Sequence, residues 1–304
     1  MDLTVFSGTA NRPLGEALAR TLGRPLGKCH LERFPDGELH VELQEDVRGR
    51  NVCIIQPTVP PVGENLLELL LMADACWRGG AARLLAVLPY FGYARHDRRS
   101  SPGEALGGRL VADLLERGHF DRLMAVNLHT AALEGCFNMP LEHLDACTML
   151  VEALRPHVGP GSVVVSPDLG AVKLAERYAR HLGLPLAIVH KSRVSGSEVN
   201  VQGLVGEVRG LRPIIVDDLI STAGTIAATA ETVLKEGCAD DITVVATHAL
   251  LVGPAVERLA RVPIRRLLST DSVPHRMELP FKHEVVGLAP LLADAIRRIT
   301  GSGR

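Results

Sequence analysis

The chain has 304 residues, of which 46% are hydrophobic and only 3% aromatic, and its formal net charge is -2. That length suits one large domain or two medium ones, and the near-neutral balance argues against nucleic acid or an anionic membrane surface as a partner. No run approaches the ~18 uninterrupted apolar residues of a membrane span. The start, Met1-Asp2-Leu3-Thr4-Val5-Phe6, lacks the basic, then apolar, pattern of a secretory signal. The six cysteines are scattered and form no CxxC pair, which points to buried thiols in a reducing cytoplasm rather than to disulfides or zinc.

The hydrophobic periodicity predicts strands alternating with helices of about ten residues. A strand over 3–7 leads through Gly8-Thr9-Ala10-Asn11 into a helix over 13–22, and 39–43 alternates as a half-buried strand does. An apolar strand over 52–56, a Pro/Gly-rich loop and a helix over 65–77 precede a buried strand over 84–88. The charged loop 90–108, a helix over 109–117 and a strand over 123–127 follow, and that strand runs into Leu128-His129-Thr130. After about residue 146 the alternation restarts: helix 149–154, strand 162–165, helix 171–182 and strand 186–189. The segment 190–203 is polar, contains Gly and Ser, and reads as a mobile loop. Strand 214–216, helix 226–235 and strands 242–247 and 264–269 come next, and a helix over 286–299 is expected to pack back on the body. Such alternation means parallel sheets flanked by helices.

Within this order, 213–225 stands out. A β-branched strand ends in two adjacent acids, Asp217 and Asp218, then Ser221-Thr222-Ala223-Gly224-Thr225 opens a helix. Small residues at a helix N-terminus offer backbone N–H groups to a phosphate. Vicinal carboxylates beside them suit the hydroxyls of a sugar, directly or through a divalent ion. The plainer reading is a strand–turn–helix in which Ser221 is the N-cap. The unit 52–88 echoes the unit 214–246 about 160 residues later, so the two halves read as copies of one α/β domain. In the first copy the acids have become Gln56-Pro57, and the phosphate pocket is expected to survive only in the second.

Other residues carry chemistry less directly. Arg95-His96-Asp97-Arg98-Arg99 can hold a polyphosphate through charge-assisted hydrogen bonds or be a solvated loop. Phe34-Pro35-Asp36-Gly37-Glu38 is an acidic turn with one ring, and Phe34 with Arg95 can flank a purine. His129, at a strand end, suits a metal or acid/base role or a purely structural one. Lys191 and Arg193 begin the polar segment and can meet a transferring phosphoryl group. Asp168 and Gly170 lie after another second-half strand, at the sheet edge where open parallel sheets bind ligands.

Taken together these stretches resemble the ribose-phosphate diphosphokinases, the phosphoribosyl pyrophosphate (PRPP) synthetases. The likeness runs from Phe6-Ser7-Gly8 to Val285-Val286-Gly287-Leu288-Ala289-Pro290-Leu291-Leu292, and 216–225 is similar to the binding loop shared with phosphoribosyltransferases. Phe34–Glu38, Tyr93-Ala94-Arg95, Asn127-Leu128-His129, Ser166-Pro167-Asp168 and Lys191-Ser192-Arg193 belong more narrowly to the synthetases. The resemblance implies two tandem phosphoribosyltransferase-like domains, 1–146 and 147–304, with the last helix packing on the first. It implies transfer of the β,γ-diphosphoryl group of ATP to the 1-hydroxyl of ribose 5-phosphate, with Mg²⁺ as cofactor, in a cytoplasmic homo-oligomer. Phe34, Asp36, Glu38, Arg95 and His96 would bind ATP. Ser221, Thr222, Ala223, Gly224 and Thr225 would hold the 5-phosphate, with Asp217 and Asp218 on the ribose hydroxyls. Asp168, Leu169, Gly170 and Ala171 would form the pyrophosphate loop, His129 and Asp168 would serve the metal, and Lys191 and Arg193 would be catalytic. Departures lie at Asn127, Asn138 and Glu142, near the expected metal, at His96, and in 100–104. Asn127 and Asn138 motivate the alternative of a catalytically silent regulatory subunit, against which Lys191, Arg193 and Asp217 argue; a PRPP-consuming phosphoribosyltransferase is the remaining one.

Overall fold

The structure is a computed structural model that describes residues 3–193, 199–275 and 277–301, with side chains omitted at 191–193 and 199–202. Contacts divide the chain into two units, one of 1–145 with 272–274 and 287–304, the other of 146–271 with 275–286.

The first unit begins with β1 (Leu3–Ser7) and α1 (Arg12–Thr21), then an antiparallel hairpin of β2 (Cys29–Arg33) and β3 (Leu39–Leu43). β4 (Asn51–Ile55), α2 (Val62–Arg78), β5 (Arg83–Leu88), α3 (Gly107–Arg117), β6 (Arg122–Val126) and β7 (Leu141–Leu144) complete the N-terminal run. The sheet order is β1-β4-β5-β6-β7, parallel throughout. Runs such as Val52–Ile55 and Leu84–Leu88 are apolar at successive positions because parallel strands are covered on both faces, and both are buried. α1 starts at Asn11, whose side chain accepts from the Leu14 N–H, with Pro13 in the first turn. The C-terminal helix α8 (Ala289–Thr300) packs on α1, and Arg297 donates to the Thr21 carbonyl.

The second unit runs α4 (Cys147–Leu154), β8 (Ser162–Ser166), α5 (Val172–Leu182), β9 (Leu186–Arg193), β10 (Val199–Val205), β11 (Arg212–Ile220), α6 (Gly224–Lys235), β12 (Ile242–Ala249), α7 (Ala255–Ala260), β13 (Ile264–Thr270) and β14 (Lys282–Val286). Its sheet has seven strands in the order β10-β9-β8-β11-β12-β13-β14, of which only β10 runs antiparallel.

The two sheets share one wiring. The first lacks a strand where β9 stands, yet Leu26, after α1, makes a single parallel bridge to Val5 there. The order Leu26-β1-β4-β5-β6-β7 thus matches β9-β8-β11-β12-β13-β14, as the sequence echo predicts. In both, the direction in which successive strands are added reverses at one point, between β1 and β4 or between β8 and β11, and that is where an open α/β sheet offers a crevice at its carboxyl ends.

Several expectations are corrected. The segment 190–203 is not a loop throughout: its ends form the antiparallel pair β9–β10, and 194–198 lie outside the described residues. β11 does not stop at the acids. It continues through them to Ile220, because Asp217, Leu219 and Ile220 keep their register with Ala246, His248 and Ala249 of β12. Val286 ends β14 rather than starting a helix, and α8 begins three residues later with Pro290 in its first turn. α7, β2 and β7 are short elements with too few residues to show a period.

Candidate functional site

The crevice of the second unit is bordered by the loops after β8 and β11. Ser166 donates to the Asp168 carbonyl at 2.7 Å, and one Asp168 carboxylate oxygen accepts from the N–H groups of Gly170 at 2.8 Å and Ala171 at 3.1 Å. The loop is thereby folded into the start of α5, with Leu169 exposed and Ala171 buried. After β11, the residue entering α6 is Ala223, in the left-handed region at φ 58°. A non-glycine residue there is strained by its Cβ. The N-cap of α6 is Ala223, which makes no side-chain capping hydrogen bond, so Ser221 is not the N-cap. Arg258 of α7 donates to the Thr222 carbonyl at 3.1 Å and lies against Gly224, where a Cβ would come 3.3 Å from its Nη1. A cation therefore backs the loop that the sequence marks for an anion.

The acids beside it are crowded. Asp217 is partly accessible, but its carboxyl is pushed well above the ordinary carboxylate range, first by burial, then by the charge of Asp218, and further by Asp168. The Asp218 N–H donates to the Asp217 carboxylate at 2.9 Å, which is too little to offset that crowding. Three carboxylates within electrostatic reach form a site that gains from a cation or from hydroxyl donors.

The matching crevice of the first unit is filled. Gln56 stands where Asp217 stands in the second copy; its Nε2 donates to Glu68 at 2.7 Å and its Oε1 accepts from the Ala10 N–H at 3.2 Å. Glu68 also accepts from the Thr9 N–H at 2.6 Å and the Thr9 hydroxyl at 2.7 Å. Gln56 and Glu68 are both buried. Gly8 passes over them so closely that a Cβ there would lie 2.4 Å from Gln56 Oε1. A hydrogen-bonded side-chain plug thus occupies the place of a ligand.

The first unit instead carries its chemistry on the loops after β5 and β6 and on the hairpin tip. Tyr93, at φ 65°, turns the chain so that His96 donates its N–H back to the Tyr93 carbonyl at 2.9 Å. Gly107 and Gly108 let α3 approach that turn, since a Cβ at Gly107 would lie 3.1 Å from the His96 Cβ. Arg95, His96 and His129 are all exposed. Thr130 donates to Asp97 at 2.9 Å, which brings the Arg95–Arg99 loop and the His129 loop together, a link with no local signal in the sequence. The peptide before His129 is held as well: the Leu128 N–H donates to His143 Nε2 at 2.9 Å, and His143 Nδ1 meets Glu134 at 2.6 Å. Phe34 is exposed at the β2–β3 tip and stacks on His40 with centroids 5.3 Å apart. Asp36 accepts from the Glu38 N–H at 3.1 Å, closing the turn at Gly37.

The departures from the family pattern have local uses. Asn127 donates to Asp145 at 2.9 Å, Asn138 to Glu116 at 2.9 Å, and Glu142 pairs with Arg122 at 2.5 Å. Among the described residues no group of three or more His, Cys, Asp or Glu is arranged to hold a metal. The side chains of Lys191 and Arg193 lie outside the described residues. All six cysteines are free thiols, and burial pushes those of Cys53 and Cys76 up to about 12. Among the described residues no helix is long and apolar enough to cross a membrane.

Fold and loops define a duplicated α/β protein in which Gln56 and Glu68 fill one crevice and Asp217 and Asp218 border the other. Comparison with known proteins narrows the class. Residues 3–118 match the family model of the N-terminal domain of ribose phosphate pyrophosphokinase, and 194–303 that of the phosphoribosyl synthetase-associated domain. The chain is 40% identical over 301 residues to a ribose-phosphate pyrophosphokinase of Porphyromonas gingivalis, covering 98% of this chain and 95% of that one. It is 43% identical over 302 residues to one of Rhodopirellula baltica, with the same coverage. A crystal structure of phosphoribosylpyrophosphate synthetase from Mycobacterium smegmatis superposes with a TM-score of 0.92 at 37% identity, covering 100% of both chains. The chain belongs to the ribose-phosphate pyrophosphokinase family.

Proposed function

We propose that this protein makes 5-phosphoribosyl 1-diphosphate and AMP from ribose 5-phosphate and ATP. The observation that carries the reading is the end-to-end match to pyrophosphokinases in a chain that keeps one open crevice and fills the other. A transferase that only consumes the product has no use for a second, plugged unit.

In this reading the N–H groups of Ser221–Thr225 at the start of α6 take the 5-phosphate, steadied from behind by Arg258. Asp217 and Asp218 accept the ribose hydroxyls, and the desolvated Asp217 carboxyl gains the donors it lacks. The loop Asp168-Leu169-Gly170-Ala171 faces the diphosphoryl group. Phe34, Asp36, Glu38, Arg95 and His96 serve ATP, with the adenine between an aromatic face and a guanidinium. Lys191 and Arg193 neutralise charge on the group in transfer. In-line placement of the 1-hydroxyl lowers the barrier without a strong protein base.

Hard carboxylate oxygens suit Mg²⁺, which binds through one or two carboxylates and substrate phosphates rather than in an all-protein cage. His129 and Asp168 are the residues we assign to it. When bound with ATP it would neutralise phosphate charge. We also infer a cytoplasmic homo-oligomer with no nucleic-acid partner.

The test is to incubate the protein with ATP, Mg²⁺ and ribose 5-phosphate and to follow AMP and PRPP. The double variant Lys191→Ala/Arg193→Ala is the control, and AMP formation no faster than in that variant overturns the proposal.

A further inference from the structure

At the opposite end of the second unit's sheet, where β11, β12 and β13 begin, a solvent-open pocket of about 170 Å³ is lined by His157, Arg212, Asp241, Thr243, Arg265 and Arg266. Every lining side chain is polar, so nothing in it would bury an apolar ligand. Its cations outnumber its acids. Lys282 and Arg266 pair with Glu284, whose other oxygen lies 3.1 Å from His157 Nε2, while Arg266 lies 3.3 Å from the same nitrogen. That leaves Arg212 and Arg265. Arg212 donates to the Pro160 carbonyl at 2.6 Å and presses on Gly159, where a Cβ would lie 2.5 Å from its Nη2. Its position is fixed by the loop. Arg265 touches Asp241 only at 3.4 Å and is 70% exposed.

We propose that this pocket binds a small divalent oxyanion of the phosphate type, held by the guanidinium forks of Arg212 and Arg265 and by the Thr243 hydroxyl. Guanidinium pairs match tetrahedral oxyanions bidentately, and the polar lining favours a charged ion over an apolar ligand. The site is separate from the sugar-phosphate loop. Arg212 opens β11 and Asp217 follows five residues later, a separation of about 16 Å at ~3.3 Å per residue. The groups around His157 are Arg266, Lys282, Glu284, Arg212 and Asp241. Burial, then Arg266 and Lys282, lower its pKa, so a dianion among those cations would raise it again.

The experiment follows the His157 imidazole by NMR in the full chain during titration with inorganic phosphate. Saturating ribose 5-phosphate is present to occupy the loop at Ser221–Thr225. The expected result is a saturable shift with a rise in the His157 pKa. Arg265→Glu, on an exposed side chain, should weaken binding at least about tenfold while leaving the melting temperature and the activity without added phosphate unchanged. An equal shift with acetate, persistence of the shift in Arg265→Glu, or the lack of saturation overturns the proposal. Displacement by ribose 5-phosphate does so too. None of these outcomes bears on whether the enzyme makes PRPP.

Discussion

Gln56 Nε2 donates to the Glu68 carboxylate at 2.7 Å, in the first-unit position that corresponds to Asp217 in the second. One contact closes a crevice that the other copy keeps open. Removing the acid should expose its value. In Glu68→Ala the Thr9 N–H, the Thr9 hydroxyl and the Gln56 amide lose their shared acceptor, and a buried unsatisfied donor costs about 1–3 kcal/mol. The expected outcome is a clear fall in melting temperature, read by circular dichroism, with the KM for ribose 5-phosphate unchanged. An unaltered melting temperature would mean that the plug is not structural.

Asp217 carries the opposite trade. Its pKa is raised above the unfolded value by burial, Asp218 and Asp168. The folded state therefore holds its proton more tightly, and stability falls as pH rises from the unfolded pKa through the folded one. The ionised form is a burden to the fold, in keeping with its proposed place on the ribose hydroxyls. Asp217→Asn should raise the melting temperature of the ligand-free protein by a few degrees and lower kcat/KM by about a hundredfold or more. A destabilised variant would refute the electrostatic account.

Arg258 should matter to substrate affinity more than to turnover. It donates to Thr222 and lies against Gly224, so Arg258→Ala frees the loop proposed to hold the phosphate and removes a nearby cation. We expect the KM for ribose 5-phosphate to rise about five- to tenfold, in line with the ~1–1.5 kcal/mol of a partly exposed charged hydrogen bond, with kcat changed less. Arg258→Lys should recover part of the loss. Steady-state kinetics with varied ribose 5-phosphate decide the point.

A pair of histidines sets an acid limit. His283 accepts or donates at Ser269 Oγ, 2.9 Å away, and stands edge-on to His275 at 4.3 Å. Burial, then the charge of His275, lowers the His283 pKa to about 4, and burial lowers that of His275. Both are favoured neutral in the fold. Their contribution is whole above the ordinary histidine pKa and is lost as pH falls from about 6.5 towards 4. Partial exposure reduces the effect to the order of 1 kcal/mol. His283→Gln should flatten the decline in melting temperature across that interval; a slope as steep as in the parent chain would refute the assignment.

Much of the plan was legible beforehand. The β-branched runs, the restart after residue 146 and the echo of 52–88 in 214–246 foretold two parallel α/β units, since covered strands must be apolar at every position. The swap of acids for Gln56-Pro57 fell at the position that Gln56 and Glu68 fill in the first unit. The span of β11 was misjudged because its last residues, Asp217–Ile220, look like a loop in isolation and are held as strand by β12. The extension of β9 past Val189 and the whole of β10 were missed for a similar reason: polar residues pair through their backbones whatever their side chains are.

The sequence alone settled what repeats and what is charged: period, duplication, the adjacent acids Asp217 and Asp218 and the likeness to the pyrophosphokinases are all local or additive signals. Only the tertiary structure decided what fills each crevice and what touches across it. Glu68 on Gln56, Arg258 on Thr222, Thr130 on Asp97 and the arginines around His157 join residues far apart in the chain. Such contacts depend on strand order and register, which no stretch of sequence carries by itself.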